Sequence, residues 1–256
     1  QVERLGYPMG SFGEVIAVLA DRIIQQGGQL HTSSSVAKIV RTGDTTTTLD
    51  VQIENGPSEQ REYDAVIATT PSYVFSKLAP RMPDEYAEKL EGINYLSAVL
   101  MVLVMDRPFT EKYWMNIADS DMPFVALIEH TNIINKELYG GKHILYISNY
   151  PSRDSDMYKM SPDNLMDLFV PHLQKINPDF DRSWVLEYHH HKLDGAQPIV
   201  GINYGDGIPD HRTPLKGLYL ANTTQIYPED RGTNYSVRMG VKVAQMVLDD
   251  AVTSKS

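Results

Sequence analysis

Hydrophobic positions near both ends of the chain recur at three- and four-residue spacing, which is the period of an amphipathic helix. The first such segment follows Ser11 and Glu14, a capping-box pattern, and stops at Gly27-Gly28. The second follows Thr233 and Asn234, two residue types that favour a helix N-cap. The pattern predicts one buried stripe in each helix: Phe12, Val15, Ile16, Leu19, Ile23 and Ile24 in the first, and Val237, Gly240, Val241, Ala244, Val247 and Leu248 in the second.

Alternating and continuous apolar runs predict strands behind the first helix. Leu49, Val51 and Ile53 alternate with polar residues, as in a half-buried strand, and the turn signal Asn55-Gly56 follows them. Residues 65–68 are an unbroken apolar run, typical of a strand covered on both faces. The other predictions here are strands at 29–31 and 35–40 and a hairpin loop at 45–48.

The middle of the chain, residues 72–213, has the pattern of an antiparallel sheet flanked by helices. A helical stretch leads from residue 73 to residue 90, and Ser161-Pro162 marks the start of another helix. Strands are predicted at 98–105, 124–129, 144–148 and 184–191. Residues 1–71 and 214–256 then have to meet in a separate sheet, so the predicted fold combines an α/β part with an α+β part.

Composition removes several classes of function. The chain has 256 residues, a formal net charge of -10 and no cysteine. The acidic balance argues against a nucleic-acid surface, and the lack of cysteine excludes disulfides and fits a cytoplasmic location. The longest apolar run, at 98–105, is far shorter than the roughly 20 residues of a membrane-spanning helix. No secretory signal pattern is present at the amino end.

Three consecutive histidines raise the question of a metal site. In a strand, side chains alternate between faces, so only His189 and His191 share a face. No acidic or cysteine partner stands at ligand spacing, so no metal is expected.

Several short motifs, taken in order, resemble the superfamily of FAD-dependent amine oxidases, protoporphyrinogen oxidases and phytoene desaturases. They are residues 7–12 (YPMGSF), 27–28 (GG), Val36 with Ile39, 63–71 (YDAVIATTP) and 217–221 (GLYLA). The resemblance implies a discontinuous FAD-binding, Rossmann-like domain made of 1–71 and 214–256, and a substrate domain made of 72–213. Members of this superfamily begin with a G-x-G-x-x-G loop, which this sequence lacks. The expectation is therefore the carboxy-terminal portion of a longer flavoprotein, which alone does not retain FAD tightly.

The resemblance also assigns cofactor-binding residues. The strand with Val36 would pass the adenine, although core packing alone explains an apolar residue there. Thr69 and Thr70 would border the pyrophosphate. Asn222 stands where the family usually has an acid, so it offers hydrogen bonds without a charge; the alternative is that 222–225 is simply a polar turn. The opening of the last helix would face the flavin pyrimidine through Thr233, Asn234 and Tyr235.

Substrate contact is assigned to Tyr227 and Arg231. The alternative for Arg231 is pairing with a carboxylate of its own loop, Glu229 or Asp230. No catalytic residue is identified.

Three functions stay open at this level. The first is an FAD-dependent oxidoreductase that oxidises a C–N or C–C bond of a small organic molecule by hydride transfer to flavin. The second is a flavin-dependent sugar-nucleotide mutase resembling UDP-galactopyranose mutase, which requires a cluster of arginines and tyrosines and has only Arg212 and Arg231 to offer near Tyr227. The third is a non-catalytic binding domain. Homo-oligomers are expected if apolar surface is left uncovered.

Overall fold

The computed structural model describes residues 6–42, 46–53 and 56–253. The helices are α1 (Ser11–Gln25), α2 (Ser72–Leu78), α3 (Asp84–Glu91), α4 (Asp156–Lys159), α5 (Pro162–Ile176) and α6 (Thr233–Thr253). The strands are β1 (Ser34–Thr42), β2 (Thr46–Ile53), β3 (Ser58–Tyr63), β4 (Val66–Ala68), β5 (Tyr95–Met105), β6 (Trp114–Asn116), β7 (Ala126–Glu129), β8 (His143–Asn149), β9 (Val185–Pro198) and β10 (Leu218–Leu220).

The middle of the chain forms an antiparallel sheet in the order β6-β7-β8-β5-β9. Its central strand β5 is the long apolar run seen in the sequence, and every second side chain of it is buried. Helix α5 packs on that side, starting where the Ser161 hydroxyl accepts a hydrogen bond from the Asn164 N–H at 3.2 Å. The main core lies between the two, around Met101, Leu103, Leu127, Leu145, Phe169 and Leu173. The predicted antiparallel sheet with flanking helices is confirmed.

A second, parallel pair joins distant parts of the chain. Strand β4 pairs with β10 in the register Val66–Leu218 to Ala68–Leu220. The turn before β10 ends at Gly217, which has φ +82° and whose carbonyl accepts the Val66 N–H at 2.8 Å. The two strands thus end side by side, with Thr69 following one and Ala221 the other.

The sheet of β1, β2 and β3 differs in detail from the sequence prediction. Residues 29–31 are not a strand, and Thr46 to Thr48 belong to β2 and not to a loop. Strand β3 was missed, because its sequence SEQREY is almost wholly polar. The remainder of the predicted hairpin tip, Thr45, and the predicted turn residue Asn55 lie outside the described residues.

Helix α1 begins at Ser11, the residue predicted to be its cap, so the predicted cap is wrong, and its predicted burial is also wrong. Gly10 occupies the N-cap, and no side chain caps the helix. None of its residues is buried; Phe12 and Ile16 are 52% and 64% exposed. Periodicity identified the apolar stripe correctly, but no other part of the described chain covers it.

Helix α6 shows a related difference. The side facing β10 consists of Val243, which is fully buried, with Met239, Met246 and Val247 around it. Of the predicted stripe only Val247 lies there, and Val237, Gly240, Val241, Ala244 and Leu248 are exposed. The helix is apolar on more than one side, so spacing alone does not say which side meets the strand. Thr233 and Asn234 occupy the first turn and not the cap, since the Gly232 carbonyl accepts the N–H groups of Tyr235 and Ser236.

The predicted helical stretch at 73–90 is two helices, α2 and α3, with Pro80 and Pro83 between them. His189 and His191 do share a face of β9, as their pairing with Val102 and Leu100 shows. Within the described ranges, no helix has the length and apolar character that crossing a membrane requires.

Candidate functional site

The site is built where β4 and β10 end together. Asn222 follows Ala221 and is 6% exposed. Its side-chain amide donates to the Thr70 carbonyl at 2.9 Å and to the Ser72 hydroxyl at 3.2 Å, and its oxygen accepts the Thr224 N–H at 3.0 Å. Both amide hydrogens are thus engaged within the chain. Asn222 fixes the loop after β10 to the loop after β4.

The network continues into the larger sheet. Tyr95, the first residue of β5, shares a 2.7 Å hydrogen bond with the Thr224 hydroxyl, and its oxygen accepts the Ser72 N–H at 3.1 Å. The hydroxyls of Ser72 and Thr224 are 3.2 Å apart, and both residues have no exposed surface. A buried network is stabilising only when its members are satisfied, and here each hydroxyl has at least two partners. The five-stranded sheet and the β4–β10 pair are therefore held in one geometry.

Residues 223–225 form a short 3-10 turn with a capping box. The Gln225 side chain accepts the Asn222 N–H at 3.0 Å, and the Asn222 side chain accepts the Thr224 N–H, so both bonds close the start of the turn. The structure thus contains the polar turn that the sequence offered as an alternative at 222–225.

The loop after this turn places the two residues predicted to contact substrate. Tyr227 is 43% exposed, its ring lies 5.3 Å from that of Tyr204 at an angle of 51°, and its peptide bond to Pro228 is cis. The Tyr204 hydroxyl donates to the Thr224 carbonyl at 3.0 Å. Burial raises the pKa of Tyr204, and the nearby Arg231 guanidinium opposes part of that rise. Tyr204, Tyr227 and Arg231 therefore adjoin the Asn222 network.

Arg231 does not form the expected alternative contact, an ion pair with a carboxylate of its own loop. Its backbone N–H donates to the Asp230 carboxylate at 2.8 Å, but in the described part of the chain its side chain forms no ion pair with Glu229 or Asp230. Its Nε is buried and has no hydrogen-bond partner, and the same is true of the Thr70 Oγ1. Unpaired buried polar atoms are rare in folded proteins. Two of them lie in these adjoining loops, and the others among the described residues are ring nitrogens of His143, His172 and His190.

The remaining predicted cofactor residues lie around this centre. Thr69, Thr233 and Asn234 are exposed, and Tyr235 is half-buried with the Arg238 guanidinium 5.9 Å from its ring centre. Val36 is half-buried and packs against the core that also contains Ala68 and Leu220. A hydrogen bond joins Thr70 to Asn222 directly, whereas among the described residues no hydrogen bond joins Val36 or the start of α6 to that pair.

Sequence reasoning missed Ser72, Tyr95, Tyr204 and Thr224. None belongs to a spacing motif, and their contacts join residues 20 to 152 positions apart. The signal that existed was local: Ser72 follows Pro71 at a helix start, and Thr224 lies in the polar run already singled out.

Comparison with known proteins identifies the family of this chain. The model of the family "flavin containing amine oxidoreductase" matches residues 4–248. The chain is 23% identical over 245 residues to 15-cis-phytoene desaturase, chloroplastic/chromoplastic, from Glycine max, covering 91% of this chain and 41% of that protein.

Two solved structures are similar in fold. One is from Exiguobacterium sp. 255-15 and is assigned as a protoporphyrinogen oxidase, with a TM-score of 0.75, 15% identity, and coverage of 93% of this chain and 51% of that chain. The other is a reduced UDP-galactopyranose mutase, with a TM-score of 0.61, 14% identity, and coverage of 79% and 43%. The chain spans about half the length of the proteins it matches. Because the family model matches nearly all of its length, the chain belongs to the flavin-containing amine oxidoreductase family.

Proposed function

We propose that this chain provides the substrate domain and part of the FAD site of an FAD-dependent oxidoreductase, which oxidises a C–N or C–C bond of a small organic molecule. In this division, 72–213 bind substrate and 1–71 with 214–256 contribute to cofactor binding. The observation that carries the proposal is the Asn222 network, which aligns two loops that present unpaired buried polar atoms, Thr70 Oγ1 and Arg231 Nε.

The residues present fit part of an FAD site. Thr70 Oγ1 and the exposed Thr69 lie at the carboxyl end of β4, where α/β sheets commonly bind ligands. The start of the 21-residue helix α6 presents backbone N–H groups and a positive dipole end. Thr233, Asn234 and Tyr235 would face the flavin pyrimidine there, while the strand that contains Val36 would pass the adenine. Bound there, FAD would supply the acceptor for a hydride from the substrate.

The chain's own residues contribute geometry and not acid–base chemistry at this site. Asn222 acts by positioning Thr70 and the 223–225 turn, since its amide hydrogens are already engaged. Tyr95 fixes the start of β5 to the same turn, so substrate bound on the larger sheet would keep a defined distance to the cofactor loops. Tyr227 and Arg231 border the space between them.

The mutase alternative is supported by the likeness in fold to UDP-galactopyranose mutase. Its arginine cluster is not assembled, however. Arg212 forms a bidentate ion pair with Asp250, at 2.8 and 3.1 Å, on the side of β10 that faces α6. Arg212 therefore does not join Arg231 in a cluster. A single arginine is a weak basis for binding a diphosphate.

The test uses the protein translated from its complete reading frame. We expect it to purify with flavin absorbance. Thr70→Val should reduce that absorbance, and the matched variant Thr131→Val should leave it unchanged. We also expect anaerobic addition of an oxidisable amine or apolar alkene to bleach the flavin. Retained flavin that supports only the isomerisation of a sugar nucleotide would favour the mutase. If no flavin is bound, the proposal is wrong and a binding domain is the remaining function.

A further inference from the structure

A cavity of about 600 Å³ lies between α3 and the loop 199–207. Residues 92–94, which follow α3, complete its lining. This volume falls in the range of small-molecule sites. Neither Thr70 nor Asn222 lines the cavity, so it is distinct from the candidate site described above. We call it the α3 cavity.

The α3 cavity lies where the chain crosses between two parts of the fold. Residues 92–94 lead from α3, which packs in the core around β4 and β10, to the start of β5. Residues 199–207 lead back from the end of β9 towards β10. The Ile199 N–H donates to the Asn94 carbonyl at 2.8 Å and ties the two crossings together. A molecule bound in the α3 cavity therefore touches both crossings.

Part of the lining is apolar. Ile93, Ile199 and Ile202 contribute to the walls, and the last two are 47% and 96% exposed. Removing such surface from water is favourable, and the benefit grows with the apolar area that is covered. The α3 cavity therefore favours a ligand with an apolar body.

The charged part of the lining consists of two carboxylates and one ammonium group. Glu85 and Glu88 are three positions apart on α3, so they share a face of the helix, and Lys89 offsets one of their two charges. In the described part of the chain, neither carboxylate belongs to an ion pair. One negative charge is left over. A ligand with a single positive charge is therefore complementary to the α3 cavity.

Tyr204 belongs both to the α3 cavity and to the surroundings of the candidate site. It lines the cavity and is 8% exposed. Its hydroxyl donates to the Thr224 carbonyl at 3.0 Å, and its ring lies 5.3 Å from the ring of Tyr227. Because Thr224 and Tyr227 both contact this side chain, a ligand that displaces Tyr204 also displaces them.

We propose that the α3 cavity is a second ligand site for a small apolar cation, and that Tyr204 transmits its occupation to the candidate site. The apolar body of the ligand lies against the three isoleucines, and its ammonium group lies near Glu85 and Glu88. An anion of the same shape is repelled by these carboxylates, and an uncharged analogue gains the apolar contacts alone. The inference goes beyond the proposed function, since it requires neither flavin nor a reaction.

Methyl NMR of the complete protein, with isotope-labelled isoleucine methyl groups, locates the binding. The probe is hexyltrimethylammonium, whose nitrogen has no lone pair and which is therefore not oxidised as an amine; hexanol is its uncharged counterpart. We expect saturable shifts of the methyl signals of Ile93, Ile199 and Ile202. The signal of Ile226, a buried residue next to Tyr227, should shift with the same Kd. Hexanol should bind at least about fivefold more weakly.

Two matched double variants test the charge. Glu85→Gln with Glu88→Gln removes both carboxylates of the α3 cavity, and Glu62→Gln with Glu137→Gln removes two exposed carboxylates elsewhere. The Kd of hexyltrimethylammonium should rise at least about fivefold in the first and less than about twofold in the second. The binding of hexanol should be the same in both.

A further variant tests the location. Gly201 lines the α3 cavity, and a Cβ there would meet no atom within 4 Å, so Gly201→Leu places a side chain in open space. This variant should abolish the shift of the Ile93 signal, because the added side chain occupies the volume of the ligand.

Three results would overturn the inference: no saturable shift of the three cavity signals, equal weakening by the two double variants, or an Ile226 signal that does not respond. None of them bears on flavin retention, by which the proposed function is judged.

Discussion

Helices α1 and α5 have the same length, 15 residues, and both are amphipathic, yet their surroundings are opposite. Helix α5 buries Leu165, Met166, Phe169 and Leu173 against the five-stranded sheet. Helix α1 buries none of its residues. The apolar spacing of a helix therefore specifies what it can bury, and only the surrounding fold specifies what it does bury.

The sheet explains the difference. Strand β5 offers a row of fully buried side chains, and the chain returns to that row through α5 only a short distance after β8. No comparable row faces α1 in the described residues. The apolar side of α5 is covered by the five-stranded sheet of the same chain, whereas α1 and the outer side of α6 expose apolar side chains.

The largest effect is expected in the closed region. Phe169→Ala removes a fully buried ring that lies 5.5 Å from the ring of Phe124, and should lower the free energy of unfolding by about 3–5 kcal/mol. Phe12→Ala on α1 makes the same chemical change at a half-exposed ring and should cost less than about 1 kcal/mol. Urea unfolding of both variants measures the difference; equal losses would mean that α1 is covered.

Glu129 is the exception inside the closed region, because it is a carboxyl group with no exposed surface. Burial raises its pKa to about 7, while hydrogen bonds from Phe109, Thr110 and Thr131 oppose part of the rise. The folded state then holds the proton more tightly than the unfolded state, so stability contributed by this group is present below about pH 4.5 and lost as the pH rises to about 7. The loss is roughly 3 kcal/mol.

Replacing the carboxyl group tests this sign. Glu129→Gln should remove most of that slope and be more stable than the parent protein above pH 7. Glu137→Gln, an exposed position in the same part of the chain, serves as the control and should keep the slope. Unfolding free energies of parent and variant that fall in parallel between pH 4.5 and 7 would contradict the assignment.

A smaller effect is expected at the edge strand of the sheet. Gly195 has φ +64°, and a Cβ there would lie 2.6 Å from the ring of Tyr73. Gly195→Ala should therefore destabilise by about 2 kcal/mol, from backbone strain and crowding together. Gly201→Ala, with open space around it, should change stability by less than about 0.5 kcal/mol. Thermal unfolding of the two variants compares them, and matching midpoints would refute the crowding argument.

The smallest effect on stability, but a clear effect on association, is expected on α1. Ile16 is 64% exposed, so Ile16→Lys should leave the unfolding free energy within about 0.5 kcal/mol. If the α1 surface drives self-association, light scattering at tens of micromolar should show oligomers for the parent chain and fewer for this variant. Ile202→Lys changes an isoleucine elsewhere that is 96% exposed and should not alter the oligomers. A monomeric parent chain would contradict the expectation.

Much of the fold was predictable because it depends on local signals. Three elements are predicted by local patterns alone: β5 by its apolar run, α5 by its Ser161-Pro162 start and β4 by its short apolar run. Strands β3 and β6 were missed because one is polar and the other has three residues. Pairing with a neighbouring strand determines that these segments are strands, and their own sequence pattern does not.

The site was predictable only in part. Resemblance to the family directed attention to Thr70 and Asn222, and the structure joins them. It did not indicate Tyr95, Ser72 or Thr224, since hydrogen bonds across 23 to 152 positions leave no mark in local spacing. Which residues contact FAD remains a prediction from the resemblance.

The most direct test of this account is an FAD titration of the complete protein after removal of its flavin, followed by flavin fluorescence. Asn222→Ala should weaken FAD binding by at least about tenfold, because the loops after β4 and β10 lose their common anchor. Asn135→Ala removes a capping side chain far from the network and should bind FAD like the parent protein. Identical titrations of Asn222→Ala and the parent protein would show that this network does not position the cofactor.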